Sequence, residues 1–262
     1  MKRILTLLCC MVFATQYSLV SAQTTHMKMW KGGKVTITCN TTEVDSVTFE
    51  TGAENGKQDL GSGAYLINGH KFIDLGLPSG LLWAETNIGA TLPNEDGSYF
   101  GWGETSAGKS NFVTDTYRYV DSNSVMSKYN STDCKVVLET TDDAAYINWG
   151  SKCRMPTKAE FEELYDSDNC TWTWFRMTSS SGAIYGHQIT SKKNGNSIFL
   201  PASGFRIWDE RMSHGEAGNY WSCTLSSSDS NNAVDFSIGS SGLSQGDAGR
   251  ILGLTIRPVA EP

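Results

Sequence analysis

No apolar run in this chain of 262 residues is long enough to cross a bilayer, which takes about 18 or more such residues. The run from Ile4 to Ala14 is ended by Thr15-Gln16. Positive charge is also scarce, with 21 Lys and Arg against 28 Asp and Glu, a formal net charge of −7. Such a chain repels phosphate backbones, which argues against nucleic acid and anionic membranes as partners. It says little about uncharged partners such as glycans. No two cysteines stand at metal-finger spacing, so a zinc site is not expected. There is no G-x-S-x-G elbow, and only four histidines are available as a general base: His26, His70, His187 and His214. Nothing in the sequence asks for a hydrolytic triad. Internal repeats are absent as well.

What the chain does have begins with its leader. Lys2 and Arg3 form a short basic stretch ahead of the apolar run, and Val20-Ser21-Ala22 supplies the small residues read before a cut. Residues 1–22 therefore read as a secretory signal peptide, and the protein as exported to the cell surface, periplasm or beyond. Cys9 and Cys10 lie inside the apolar run, not just after it, so a lipoprotein signal is not expected. Cleavage takes away two positive charges and moves the net charge from −7 to −9. Five cysteines stay: Cys39, Cys134, Cys153, Cys170 and Cys223. The odd number leaves at least one thiol free or paired between molecules.

The remaining residues are enough for one large domain and a small appendage. Residues 23–50 alternate, with Met27 and Met29 on one face, a Lys31-Gly32-Gly33-Lys34 turn, then Val35, Ile37 and Cys39. They read as a small β-unit built on a hairpin. Glycine-rich, polar residues 51–64 read as a linker, and residues 65–262 as the main domain. Within it, Asn68-Gly69 between two apolar runs is a type I′ hairpin signal. Thr157-Lys158-Ala159-Glu160 is a capping box opening a helix whose Phe161, Leu164 and Tyr165 share a face. "TDDAAYINWG" reads as a second short helix, with Thr141 as its cap. Strand patterns fill the rest, which predicts an α+β class.

Two motifs invite a stronger reading. "GETSAGKS", Gly103 to Ser110, matches G-x-x-x-x-G-K-[ST] letter for letter. A phosphate loop needs a buried strand before it and a helix after it, whereas "GSYFGW" precedes and the β-branched "NFVTDTYRYV" follows, so a surface loop is expected. "LPNEDG" offers Asn94, Glu95 and Asp96 as oxygen ligands, yet adjacent acids more often decorate a solvated turn, and no cofactor is expected.

"FIDLGLPSGLLWAETNIGA", "YFGWGET", "DDAAYINWG", "CRMPTKAEFEEL", "CTWTW", "NSIFLPASGFR", "NYWSC" and "GLTIRPV" occur in order from Tyr65 to Val259. Together they resemble the Fibrobacter succinogenes major paralogous domain of bacterial surface proteins, and "VDSVTF" resembles the short unit often found ahead of it. The resemblance implies a C-type-lectin-like fold, shared with formylglycine-generating enzymes, with two short helices, small antiparallel sheets and paired chain ends. It implies recognition without catalysis, through irregular loops near the C-terminus, of a glycan or protein ligand. The copper-binding cysteine pair of the formylglycine-generating enzymes is not matched at its short spacing, so that oxidase activity is the alternative. A purely structural envelope component is a second alternative.

Three loops then become the candidate binding surface: residues 207–218, 226–232 and 239–253. In the first, Trp208, Asp209, Arg211 and His214 combine an aromatic, a carboxylate, a guanidinium and an imidazole, a set suited to stacking on a sugar and bonding its hydroxyls. Asn231 and Asn232 in the second complete the candidate set. The Ser226–Asn232 stretch buries almost no apolar area, so it is expected to be replaceable by a short turn. Trp83, Trp102, Trp149, Trp172, Trp174 and Trp221 are expected in the core, and Trp208 on the surface.

Overall fold

The computed structural model describes residues 26–31, 34–40 and 57–262. The leader at 1–22, the "VDSVTF" segment and most of the linker at 51–64 lie outside the described residues. The chain divides into two compact units, Met1–Gly52 and Ala53–Pro262. In the first, β1 (His26–Lys31) and β2 (Lys34–Asn40) pair antiparallel, with Lys31 opposite Lys34.

The second unit carries four antiparallel sheets. The largest has six strands, in the order β3-β4-β5-β6-β16-β7. Its members are β3 (Gln58–Gly61), β4 (Ala64–Ile67), β5 (His70–Asp74), β6 (Leu82–Ala84), β7 (Cys153–Arg154) and β16 (Val259–Ala260). β3 falls within the stretch read as a linker, so the domain begins earlier than Tyr65. Asn68 and Gly69 have φ of 50° and 82°, the paired positive values that a type I′ turn between β4 and β5 demands.

A second sheet holds β8 (Cys170–Ser179), β9 (Gly182–Ser191) and β10 (Ser197–Pro201); a third holds β13 (Ala217–Leu225), β14 (Asn232–Gly239) and β15 (Gly242–Gly249). Between them in sequence, β11 (Phe205–Ile207) and β12 (Glu210–Met212) form a two-stranded hairpin.

This architecture corrects the expected class. The described residues are mostly β, 42% strand against 10% helix, in several small antiparallel sheets, and do not form a clear α+β lectin fold. The reason lies in how early the helices end. Helix α1 (Ala144–Trp149) is a six-residue segment, started by Asp143, whose carboxylate accepts from the backbone of Ala145 and Tyr146, and stopped at Gly150. Asp143, not Thr141, is the cap. Among the described residues only α2 (Lys158–Tyr165) exceeds two turns, and it forms as read: Thr157 and Glu160 close the capping box in both directions. Most of the segments after Cys170 read as strands become strands, but residues 254–258 make only isolated bridges before the two-residue β16.

Two apolar clusters fill the domain. One gathers Phe72, Trp102, Tyr129, Trp149 and Trp221; the other gathers Trp83, Phe161, Tyr220 and Phe236. Trp83, Trp102, Trp149 and Trp221 are buried as expected, whereas Trp172 and Trp174 are only half-buried. Two arginines from the C-terminal segment are fully buried. Arg257 donates to Asn87 Oδ1 and to the carbonyls of Ala84, Glu85 and Phe199. Arg250 donates to the Tyr117 hydroxyl and to the carbonyls of Lys128, Tyr129 and Ser230. Its guanidinium carbon lies 4.9 Å from the Trp102 ring centre. Among the described residues neither arginine meets a carboxylate. Carbonyl acceptors, and rings around Arg250, satisfy the desolvated cations instead.

Candidate functional site

The β11–β12 hairpin presents three of the predicted residues, Trp208, Asp209 and Arg211, and His214 follows just past its end. Ile207 pairs with Glu210, leaving Trp208 and Asp209 as a two-residue tip. The first position of such a tip asks for a positive φ, which glycine adopts without strain. Here Trp208 occupies it, with φ of 55° and 58% of its surface exposed. The tip is held in place from outside the hairpin. Phe112 N–H donates to the Trp208 carbonyl at 2.7 Å, and Trp208 N–H donates back to the Phe112 carbonyl at 3.0 Å.

Arg211 and His214 meet on one acid from the other half of the domain. Arg211 Nη1 donates to Asp96 Oδ2 at 2.6 Å, and His214 Nε2 lies 3.1 Å from Asp96 Oδ1 and 3.0 Å from Oδ2. Tyr99 stands beside them, its hydroxyl donating to the Ser203 carbonyl at 2.5 Å. Burial, followed by the charge of Asp96, pushes the Tyr99 phenol up to about 12. Arg206 covers the Tyr99 ring, its guanidinium carbon 5.5 Å from the ring centre. Exposed ion pairs of this kind contribute little to stability, a median of about 0–1 kcal/mol, so the fold does not need them grouped.

Asn231 and Asn232 fall elsewhere. Among the described residues no hydrogen bond or ion pair joins them to the hairpin. Asn231 donates to Asp229, and the backbone of Asn232 closes the turn on Asp229 and Ser226. Ser226 and Ser228 both donate to Asp247 Oδ2. The Ser230 and Asn231 carbonyls accept from the side chain and backbone of Arg250. The long polar loop is thus tied to the core and is not a free display segment.

Asp96, Tyr99 and Arg206 were not among the predicted residues. Asp96 stood in "LPNEDG", but its partner Arg211 is 115 residues away, a separation that leaves no local pattern. The other two polar residues of that turn point to different tasks. Asn94 donates to the Gly182 carbonyl. Glu95 accepts from the backbone and hydroxyl of Thr91 and from the backbone of Leu92, and these bonds hold its carboxyl below the usual range. Among the described residues no three His, Cys, Asp or Glu side chains are grouped to hold a metal.

The phosphate-loop lookalike closes on itself. Lys109 Nζ donates to both oxygens of Glu104 at 2.8 Å and to the Thr116 carbonyl at 3.0 Å, and only a single 3-10 turn at Thr114–Thr116 follows. Its lysine already has a carboxylate, and no helix opens onto the loop.

Cys153 and Cys223 line a cleft of about 470 Å³ with Asp143, Tyr146 and Lys152. Neither is bridged, nor are Cys134 and Cys170. Burial pushes the Cys153 thiol up to about 11 and the Cys223 thiol up to about 12. Both stay protonated at neutral pH, whereas a nucleophile or metal ligand must be the thiolate. His70 stacks on Trp149 with ring centres 3.8 Å apart, and His187 bonds the Gly239 carbonyl. Both serve packing.

Comparison with protein-family models, with curated proteins and with solved structures finds no match.

Proposed function

We propose that this protein is an exported, non-catalytic recognition module whose ligand, a glycan or a protein, sits on the β11–β12 hairpin. The observation that carries this reading is Trp208. A large aromatic is held in a conformation that favours glycine, at the tip of a hairpin, and left open to solvent. Backbone strain of order 1–3 kcal/mol persists where surrounding structure over-determines it, and it clusters at binding sites. Loops and tips on a rigid scaffold are also where binding residues concentrate. Asp96, Arg211 and His214 add directional donors and acceptors beside the ring.

The leader read at residues 1–22 and the resemblance to the Fibrobacter succinogenes major paralogous domain support export and a surface role. The cysteine spacing, which lacks the short pair of the formylglycine-generating enzymes, weighs against the copper-oxidase alternative. Among the described residues, no helix is long and apolar enough to cross a membrane.

The test is a broad glycan and protein array probed with the full chain and with Trp208→Ala. The expected result is a ligand whose signal falls at least tenfold in the variant, at an unchanged melting temperature. An array with no ligand, or a ligand indifferent to Trp208, Arg211 and His214, would overturn the reading and favour a structural envelope component.

A further inference from the structure

Arg206 and Arg211 face each other directly across the β11–β12 hairpin. Directly opposed residues of an antiparallel pair share a face, and like charges there repel. Only Arg211 is compensated within the protein, by Asp96, and that one carboxylate also serves His214. Among the described residues no carboxylate comes within ion-pair distance of Arg206, whose guanidinium rests on the Tyr99 ring alone. The nearby acids do not correct this. Glu210 stands opposite Ile207, and successive side chains alternate faces, so it points to the other side of the ribbon. Asp209 sits at the tip. One face therefore carries two guanidiniums and an imidazole against a single carboxylate, on a chain whose net charge is −7.

We propose that this face binds the carboxylate of an acidic sugar, a uronic acid within a glycan, held between Arg206 and Arg211 while the sugar ring lies against Trp208. The inference rests on the reading of the hairpin as a recognition surface and names its ligand class. Planar guanidiniums bond carboxylates in pairs of parallel hydrogen bonds, and a ligand carboxylate would relieve the Arg206–Arg211 repulsion that the free protein tolerates. An acidic peptide would supply the charge but gives no account of the exposed Trp208 ring. A sugar supplies both, since its C–H face stacks on an aromatic and its hydroxyls suit Asp96 and His214.

Calorimetric titration of the full chain with tetragalacturonate, tetramannuronate and their methyl esters tests this, because esterification removes the charge and keeps the ring. At low salt one of the two acids should bind about tenfold or more tighter than its ester. That advantage should shrink as salt rises from about 0.05 to about 0.5 M. Arg206→Gln should bring acid and ester to similar affinity at an unchanged melting temperature. Equal binding of acid and ester by the unmodified protein, or a ratio that survives Arg206→Gln, overturns the proposal. So does a hexaglutamate peptide that binds as tightly as the acidic sugar, or the absence of binding to either acid. In these cases the array with Trp208→Ala still decides separately whether the hairpin recognises a ligand at all.

Discussion

Trp208 and Phe112 exchange a pair of backbone hydrogen bonds, 2.7 and 3.0 Å long, and this pairing holds the tryptophan at φ of 55°. An exposed tip residue normally tolerates substitution within about ±0.5 kcal/mol. Here glycine should do better than that. Trp208→Gly releases the positive-φ strain and loses some of the gain to a freer unfolded chain, an effect of about 0.4–1 kcal/mol. Urea unfolding should therefore show equal or higher stability, by up to about 1 kcal/mol, while ligand binding disappears. A destabilised Trp208→Gly protein would mean that the ring packs, and that its exposure is not the site's purpose.

Asp142 and Asp143 are neighbours with opposite demands. Burial works against the Asp142 charge, but hydrogen bonds from Lys128, Tyr129 and Tyr119 outweigh it, and its carboxyl falls below its ordinary 3.8. Its contribution is then complete above pH 3.8 and lost as pH falls through the lower folded value. Asp142→Asn breaks a buried pair and should cost about 3 kcal/mol at neutral pH, with the gap to the unmodified protein closing in acid. Burial pushes Asp143 the other way, above 3.8, so its ionisation weighs on the fold as pH rises. Asn also caps helices well, but it cannot accept from the buried Met155 N–H as Asp143 Oδ2 does, so Asp143→Asn should cost about 1–3 kcal/mol. Thermal melts of both variants at neutral and strongly acid pH check the signs.

Replacing Ser226–Asn232 by an Asn-Gly turn should not be silent. It deletes the Ser230 and Asn231 carbonyls that receive the Arg250 side chain and backbone. A buried charged donor left without its acceptor costs about 1–3 kcal/mol or more. Ser227→Ala, in the same loop but exposed, should change stability by less than about 0.5 kcal/mol. Equal effects of the two changes in denaturant melts would show that Arg250 does not depend on the loop.

Trp221 is fully buried and donates its indole N–H to the Phe100 carbonyl at 2.7 Å. Trp221→Ala should cost about 3–5 kcal/mol, against about 1 kcal/mol for Thr157→Ala at the cap of α2. A harmless Trp221→Ala would place the core elsewhere.

Local chemistry was legible in the sequence where it acts over a few residues. The Thr157 capping box, the Asn68-Gly69 turn and the exposure of Trp208 each follow from neighbours within a turn of chain. The fold class was not, because "TDDAAYINWG" carries good helix signals yet Gly150 ends the helix after six residues, and strand runs dominate the total. The site was legible in part. Arg211 and His214 were singled out by their chemistry, but Asp96, which joins them in the structure, lies 115 residues before Arg211. Asn231 and Asn232 looked like display residues because polarity alone does not reveal that a loop's carbonyls face inward. Arg250 and Arg257 are likewise buried by partners far away in the chain, which no local pattern announces.

Those two arginines set an order on the protein's birth. Arg257 reaches back 173 residues to the Ala84 carbonyl, and Arg250 reaches back 122 residues to that of Lys128. β16, at Val259–Ala260, inserts between β6 and β7. A chain leaving the ribosome N-terminus first has neither cation nor closing strand until the preceding strands of this domain have all been made. The half-made domain therefore has no complete core to collapse around, and contacts of such long separation form slowly. Removal of the residues from Arg250 onward should leave a polypeptide with no cooperative melting transition.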